Sequence, residues 1–316
     1  MNYGRPFRMS YVWEKSDMKR NEYNDLPKGY YHLSTDGKWD GTIFHTQEHF
    51  AYGMILMGLI TLKYSLEVYA FTLMSNHVHI VLSGTGRDCR KAFHYMVRKL
   101  NIRLRMGGYP EIPDGYGFKL VPIQNREQLK NDIIYLDRNP YEKQYCIPGG
   151  YPWGTTLIHY SRITSLFKWT RADTMSKREL ERITGSRAPI PGHWEFNPVL
   201  GLNPACFVRN DKFTELFSTP KAYQSRLTKD YEACVKVADR LGEEMDFSPE
   251  EEEGILNELL RKHFSGRKVK HLSNDEKGRL AIILHDYHFP VARIAQALNW
   301  QEYLVKQFLN AKEYGK

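Results

Sequence analysis

The segment SLEVYAFTLMSNHVHIVL, residues 65–82, decides the fold of the first half of the chain. It holds two runs that are rich in β-branched and aromatic residues, 65–73 and 77–82. Such runs are typical of β-strands. Residues 74–76 separate them, and a connection this short is typical of a hairpin. We therefore expect two neighbouring antiparallel strands here.

Helical patterns and further strand-like runs alternate with this hairpin over the first 150 residues. Helices are predicted from Thr46 through the apolar run 54–62, over 90–106 and over 125–138, and strands at 30–34 and 118–123. Pro140 should end the last helix at or just before Asn139, because a residue before proline avoids helical geometry. Pro122 restricts its strand to a sheet edge or to the strand's end. The pattern predicts an α+β fold, a mainly antiparallel sheet with packed helices.

The character of the chain changes twice after this region. We predict a first domain over 1–155, an irregular connector rich in Pro, Gly and Trp over 156–220, and an all-α region over 221–316. The last 45 residues show helical patterns at 275–285, 291–298 and 301–311. Two short helices after a longer one are typical of a helix-turn-helix. A purely structural three-helix cap fits the same pattern equally well.

Composition limits the class of protein and its partners. The chain has 316 residues and a formal net charge of +8, which favours a polyanionic partner. Its four cysteines show no CxxC or Cys/His spacing, so a disulfide framework or a zinc ribbon is not expected. No run reaches the roughly 18 apolar residues that a membrane span needs, and the N-terminus lacks a secretory signal pattern. We expect a cytoplasmic protein without a membrane partner.

Four residues carry the chemistry that the sequence suggests. His77 and His79 are two positions apart in a strand-like run, so both imidazoles project from the same face and can share a metal ion. Histidines also fill half-buried sheet positions, which is the alternative role. Tyr135 and Asn139 are four residues apart on a predicted helix, on nearly one face and away from its apolar stripe.

These residues carry a resemblance to a known family. FTLMSNHVHIVL at 71–82, followed by YLDRNPYEK at 135–143 and YPWG at 151–154, resembles the HUH single-tyrosine transposases, and most closely the REP-associated tyrosine transposases. The resemblance covers about residues 25–155 and implies a ferredoxin-like HUH nuclease domain. The sequence departs from the family pattern at Ser75, where proline is usual, and at Asp137 and Arg138.

The resemblance implies roles for these positions. His77, His79 and Asn139 would be metal ligands, and Tyr135 the nucleophile. The cofactor would be Mg²⁺ or Mn²⁺, and the substrate single-stranded or hairpin-forming DNA. Attack by Tyr135 would give a 5′-phosphotyrosine and a free 3′-OH, in cleavage and strand transfer related to transposition. Both a monomer and a homodimer remain open.

Three cations on the helix predicted over 90–106 form a candidate DNA contact. Lys91, Arg98 and Arg105 recur every seven residues on the face opposite the apolar stripe, where they could follow phosphates. A solvated charged face is the alternative. Two other functions also remain open: a domesticated DNA-binding protein that uses its C-terminal helices without nuclease activity, and a metal hydrolase in which His77 and His79 activate water.

Overall fold

The computed structural model describes residues 23–142, 150–243, 245 and 247–313. The chain divides into two compact units. Of the described residues, those up to Asp230 and Arg240–Gly242 form the first unit, and Tyr231–Asp239 and those from Glu243 onward form the second. All the candidate site residues named above belong to the first unit.

A four-stranded antiparallel sheet forms the centre of the first unit. Its strands are β1 (Gly29–Thr35), β2 (Glu67–Leu73), β3 (Val78–Gly84) and β4 (Phe118–Ile123), and they lie in the order β2-β3-β1-β4. Strands β2 and β3 are the predicted hairpin. Pro122 lies in β4, at an edge of the sheet, as predicted. With the helices described below, this confirms the α+β class.

Two helices cover one face of this sheet. They are α1 (Gln47–Lys63), which Thr46 caps by accepting a hydrogen bond from the backbone of His49, and α2 (Gly86–Met106). Their apolar side chains pack with Val78, Ile80 and Leu82 of β3 in one core. Residues 54–60 of the predicted apolar run are therefore buried in the core, whereas Leu62 is exposed. Within the part of the chain that the structure describes, no helix combines the length and apolarity needed to cross a membrane.

A third helix, α3 (Arg126–Glu142), contacts β2 and β3 and lies on the other face. The prediction that Pro140 ends this helix by Asn139 is wrong, because the helix continues to Glu142. Proline has no N–H for the carbonyl of Leu136, four residues earlier. The hydroxyl of Thr72 donates to that carbonyl instead, at 3.1 Å. A side chain of the sheet thus compensates for the proline.

We expect this substitute hydrogen bond to be measurable by a double-mutant cycle. Thr72→Val should lower the free energy of unfolding by about 1–3 kcal/mol, because the Leu136 carbonyl stays buried without its donor. In a Pro140→Ala background the cost should be smaller, since the restored N–H can donate there. Urea unfolding of the four proteins measures both costs. Equal costs in the two backgrounds would show that the hydroxyl does not replace the missing N–H.

Residues 156–220, which the sequence predicts to be an irregular connector, belong to the first unit. They contain β5 (Thr170–Arg171), β6 (Glu195–Asn197) and β7 (Gly201–Leu202) in a small sheet, with α4 (Lys177–Thr184) and α5 (Asn210–Leu216). Trp194 is 2% exposed and shares the core of α1 and α2. A β-carbon on Gly58 of α1 would lie 2.9 Å from the Trp194 ring, so this glycine permits the close approach. The burial of large apolar side chains such as Trp194 holds this segment against α1 and α2.

The last elements are helical. Helix α6 (Pro220–Lys229) belongs to the first unit, and most of α7 (Tyr231–Leu241) belongs to the second. The second unit continues with α8 (Pro249–Phe264), α9 (Asn274–Asp286), α10 (Val291–Leu298) and α11 (Glu302–Glu313). Its core includes Leu280, Leu284, Ile294 and Leu298. The three C-terminal helices lie within one or two residues of their predicted bounds.

Candidate functional site

The two histidines of the HVH segment lie side by side. His77 immediately precedes β3 and His79 lies within it, opposite Ser34 of β1 and Thr72 of β2. Their ring centroids are 5.1 Å apart, and they are 5% and 1% exposed. Neighbouring residues Val78 and Ile80 point into the core with α1 and α2. The alternation of a strand therefore places His79 on the face covered by α3.

Helix α3 brings Tyr135 to the same place. The Tyr135 ring centroid lies 5.8 Å from that of His79 and 6.2 Å from that of His32 in β1. Tyr135 is 2% exposed. Its position off the predicted apolar stripe is thus explained by contact with imidazoles rather than with solvent. The structure thus brings together Tyr135 and His79, the predicted nucleophile and a predicted ligand, which are 56 positions apart in the sequence.

Asn139 is also buried, one helical turn after Tyr135. Its side-chain Oδ1 has no hydrogen-bond partner among the described residues. A buried amide oxygen without a donor is costly, because it has lost water and gained nothing in return. A cation is one partner that would satisfy such an oxygen.

Asn76, the residue before His77, determines which ring nitrogen of His77 carries a proton. The amide nitrogen of Asn76 donates to the carbonyls of Gly37 and Trp39, at 3.0 Å each. The Asn76 oxygen is therefore the atom that faces His77 Nδ1, at 2.7 Å. An amide oxygen can only accept, so His77 carries its proton on Nδ1. A metal ion at His77 would therefore bind Nε2.

His32, which was not predicted from the sequence, also belongs to this site. His32 in β1 places Nε2 3.1 Å from Nδ1 of His79 and Nδ1 2.6 Å from Oδ1 of Asp132 in α3. Both oxygens of Asp132 also accept hydrogen bonds from the guanidinium of Arg240. Burial holds the pKa of His79 well below its ordinary value. The neutral imidazole is the form that binds metal ions.

One sequence signal pointed to this group. In β1, Tyr31 and Leu33 alternate with His32 and Ser34. An apolar and polar alternation of this kind predicts two different faces. Asp132 precedes Tyr135 by three positions, which is one turn of the same helix. Only the pairing of β1 with β3 shows that these residues meet.

The donor atoms of His77, His79 and Asn139 are of types that bind divalent ions. No group of three or more His, Cys, Asp or Glu side chains in the described ranges is arranged to hold a metal. A metal site at His77 and His79 therefore requires a third protein ligand of another type. The Oδ1 of Asn139, which is buried and lacks a partner in the described chain, is a donor of that other type. Two imidazoles and an amide oxygen leave the ion its full charge.

The three predicted DNA-binding cations occupy a different layer. Lys91, Arg98 and Arg105 are exposed on α2, whereas His79 faces α3 on the other side of the sheet. Lys91 and Arg98 line a groove with Tyr64, Arg90, His94 and Tyr95 and no carboxylate. Arg105 instead makes two hydrogen bonds to the carboxylate of Glu111. The groove, rather than the full stripe, is the basic surface of this helix.

Comparison with known proteins gives one finding of similarity. No protein-family model matches the sequence, and no curated protein sequence matches it. Among solved structures, the chain is similar to a REP-associated tyrosine transposase bound to a REP hairpin. The two are 14% identical with a TM-score of 0.35, and the match covers 53% of this chain and 93% of that chain. At this level of similarity, the proposals below depend on the residues of this chain.

Proposed function

We propose that the chain is a metal-dependent single-stranded DNA endonuclease and strand transferase related to DNA transposition. The contact between the rings of Tyr135 and His79 is the observation that carries the proposal. A phenol beside imidazoles, with a buried amide oxygen one turn away, is the set of groups that such a reaction requires. The HUH resemblance of the sequence assigns the same residues.

Tyr135 acts as the nucleophile in this proposal. Its Oη forms a bond to the scissile phosphorus, and the bond from phosphorus to the 3′ oxygen breaks. The phenol proton passes to a base, and the departing 3′ oxygen takes up a proton to become a free 3′-OH. The resulting 5′-phosphotyrosine retains the phosphodiester energy, so a 3′-OH can reverse the step without ATP.

His77, His79 and Asn139 would hold Mg²⁺ or Mn²⁺, which supplies electrostatic stabilisation of the charge that develops on the phosphate. A phenol has an ordinary pKa near 10, so it needs a site that favours its attack at neutral pH. Burial keeps the pKa of His79 low, and the surrounding residues orient the imidazoles and exclude water from the phenol. Since Tyr135 is 2% exposed, the residues that cover it must move when DNA binds.

The decisive experiment is adduct formation by the unaltered chain. Labelled single-stranded hairpin DNA is incubated with the protein and Mn²⁺, and a protein-linked label is sought on a denaturing gel. We expect a covalent product that EDTA prevents. DNA binding without any adduct would favour a DNA-binding protein, and cleavage without a covalent intermediate would favour a water-activating metal hydrolase.

The groove on α2 is the proposed contact for the DNA backbone. We expect Lys91→Gln with Arg98→Gln to weaken binding of single-stranded DNA and to reduce its salt dependence by about 0.7 in log–log slope per lost phosphate contact. Arg105→Gln is the matched control, because Glu111 already engages that guanidinium. Affinity measured against salt concentration tests this. An unchanged slope in the double variant would make the groove a solvated face.

A further inference from the structure

His79 is the first member of a buried chain of hydrogen bonds that leads away from the proposed metal. Its Nδ1 lies 3.1 Å from His32 Nε2, and His32 Nδ1 lies 2.6 Å from Asp132 Oδ1. His79 is 1% exposed, and His32 and Asp132 are 0% exposed. The three residues come from β3, β1 and α3. The reaction proposed above does not use His32 or Asp132.

The donor and acceptor of each of these hydrogen bonds can be assigned by starting from Arg240. A guanidinium can only donate, and Arg240 donates to both oxygens of Asp132, so this carboxylate is an acceptor. His32 therefore carries a proton on Nδ1. A neutral His32 then has its lone pair on Nε2, which accepts a hydrogen bond from the Nδ1–H of His79. His79 is left with its lone pair on Nε2.

Charge balance favours the neutral form of His32. Arg240 already compensates the single charge of Asp132. A protonated His32 would add an uncompensated positive charge at a position without solvent contact, and burial of such a charge is strongly unfavourable. It would also donate from Nε2 and reverse the tautomer of His79.

We propose that Asp132 and His32 form a positioning relay that fixes His79 as the Nδ1–H tautomer, with Nε2 directed to a divalent ion. The metal-ligand part rests on the proposed function, whereas the tautomer does not. Asn76 imposes the same tautomer on His77 by a separate contact at 2.7 Å. His32 and Asn76 thus orient His79 and His77 independently, each with its lone pair on Nε2. Hydrogen bonds to the non-ligating nitrogen commonly orient histidine ligands in this way.

The test uses the full chain with ¹⁵N-labelled histidine, free of metal. Long-range proton–nitrogen correlation spectra distinguish the tautomers, and the His79 signals are assigned by their loss in His79→Gln. We expect the Nδ1–H form in the unaltered protein. In His32→Phe we expect that preference to be lost and Mn²⁺ affinity, measured by calorimetry, to fall about 10–100-fold. In His32→Gln, whose amide can donate to Asp132 and accept from His79, both should be largely restored.

His159→Phe is the matched control. His159 is another buried histidine that pairs with an aspartate, Asp137, at 2.6 Å, and it is not a member of the relay. It should leave the His79 tautomer and Mn²⁺ affinity unchanged. An Nε2–H form of His79 in the unaltered protein overturns the relay, and so does an unchanged tautomer in His32→Phe. If that variant does not fold, the unaltered spectrum still decides the tautomer.

The failure of the proposed function would look different. The relay would stand if His79 showed the Nδ1–H form and Mn²⁺ bound with the expected variant effects while no DNA adduct formed. The nuclease proposal would then be wrong. If the protein formed an adduct and His79 had the Nε2–H tautomer, the nuclease proposal would be supported and the relay proposal would be wrong.

Discussion

Tyr135→Phe is expected to abolish the covalent DNA adduct while leaving DNA binding within about twofold. Phenylalanine retains the ring that packs at 5.8 Å from His79 and 6.2 Å from His32 and removes only the oxygen that would bond to phosphorus. Loss of a nucleophile acts on the chemical step and not on association. Denaturing gels for the adduct and a binding isotherm on the same labelled hairpin measure the two effects.

The chain offers a matched control in Tyr31. This buried tyrosine lies in β1 beside His32, but it belongs to the core on the opposite face of the sheet, and its hydroxyl donates to the carbonyl of Pro27 at 2.6 Å. Tyr31→Phe should form the adduct at a normal yield. An undiminished adduct yield in Tyr135→Phe would assign the nucleophile to another residue and remove the basis of the proposed function.

Asn139→Leu is expected to separate metal binding from stability. In the metal-free protein, the variant replaces a buried oxygen that lacks a partner in the described chain, so the free energy of unfolding should not fall. A ligand at 100 times its Kd stabilises the native state by about 2.7 kcal/mol. We expect Mn²⁺ to give the unaltered chain a stabilisation of this order and Asn139→Leu to lose most of it.

Asn203→Leu provides the opposite pattern. Asn203 is equally buried, but its oxygen accepts from the backbone of Ala205 at 3.1 Å and its nitrogen donates to Glu195 at 2.9 Å. This variant should lose about 1–3 kcal/mol of stability and keep the response to Mn²⁺. Thermal unfolding with and without Mn²⁺ compares all three proteins. A full Mn²⁺ response in Asn139→Leu would exclude Asn139 as a ligand.

Local patterns were sufficient for most of the secondary structure. The β2–β3 hairpin, the helix start at Thr46 and the three C-terminal helices follow from short-range periodicity and side-chain-to-backbone hydrogen bonds. The end of α3 did not follow, because the donor that replaces the N–H of Pro140 is Thr72, 64 positions away from its acceptor. Local rules for proline do not include such a partner.

In the candidate site, too, pairs of residues within one element were predictable, whereas relations between elements were not. A period of two along β3 was enough to place His77 and His79 together, and a period near four was enough to pair Tyr135 with Asn139. The basic stripe on α2 was visible as spacing, but its separation from His79 by the thickness of the sheet was not. Nor was the contact between Arg105 and Glu111, which follows from the turn after the helix.

The sequence by itself determined the strands, the helices and the pairs of residues that one element presents on one face, because these depend on interactions between near neighbours. Only the tertiary structure decided that β1 lies beside β3 and that α3 covers both, which joins His32, His79, Asp132 and Tyr135. Strand order and helix placement depend on burial of apolar surface across the whole unit, a sum that no local window contains.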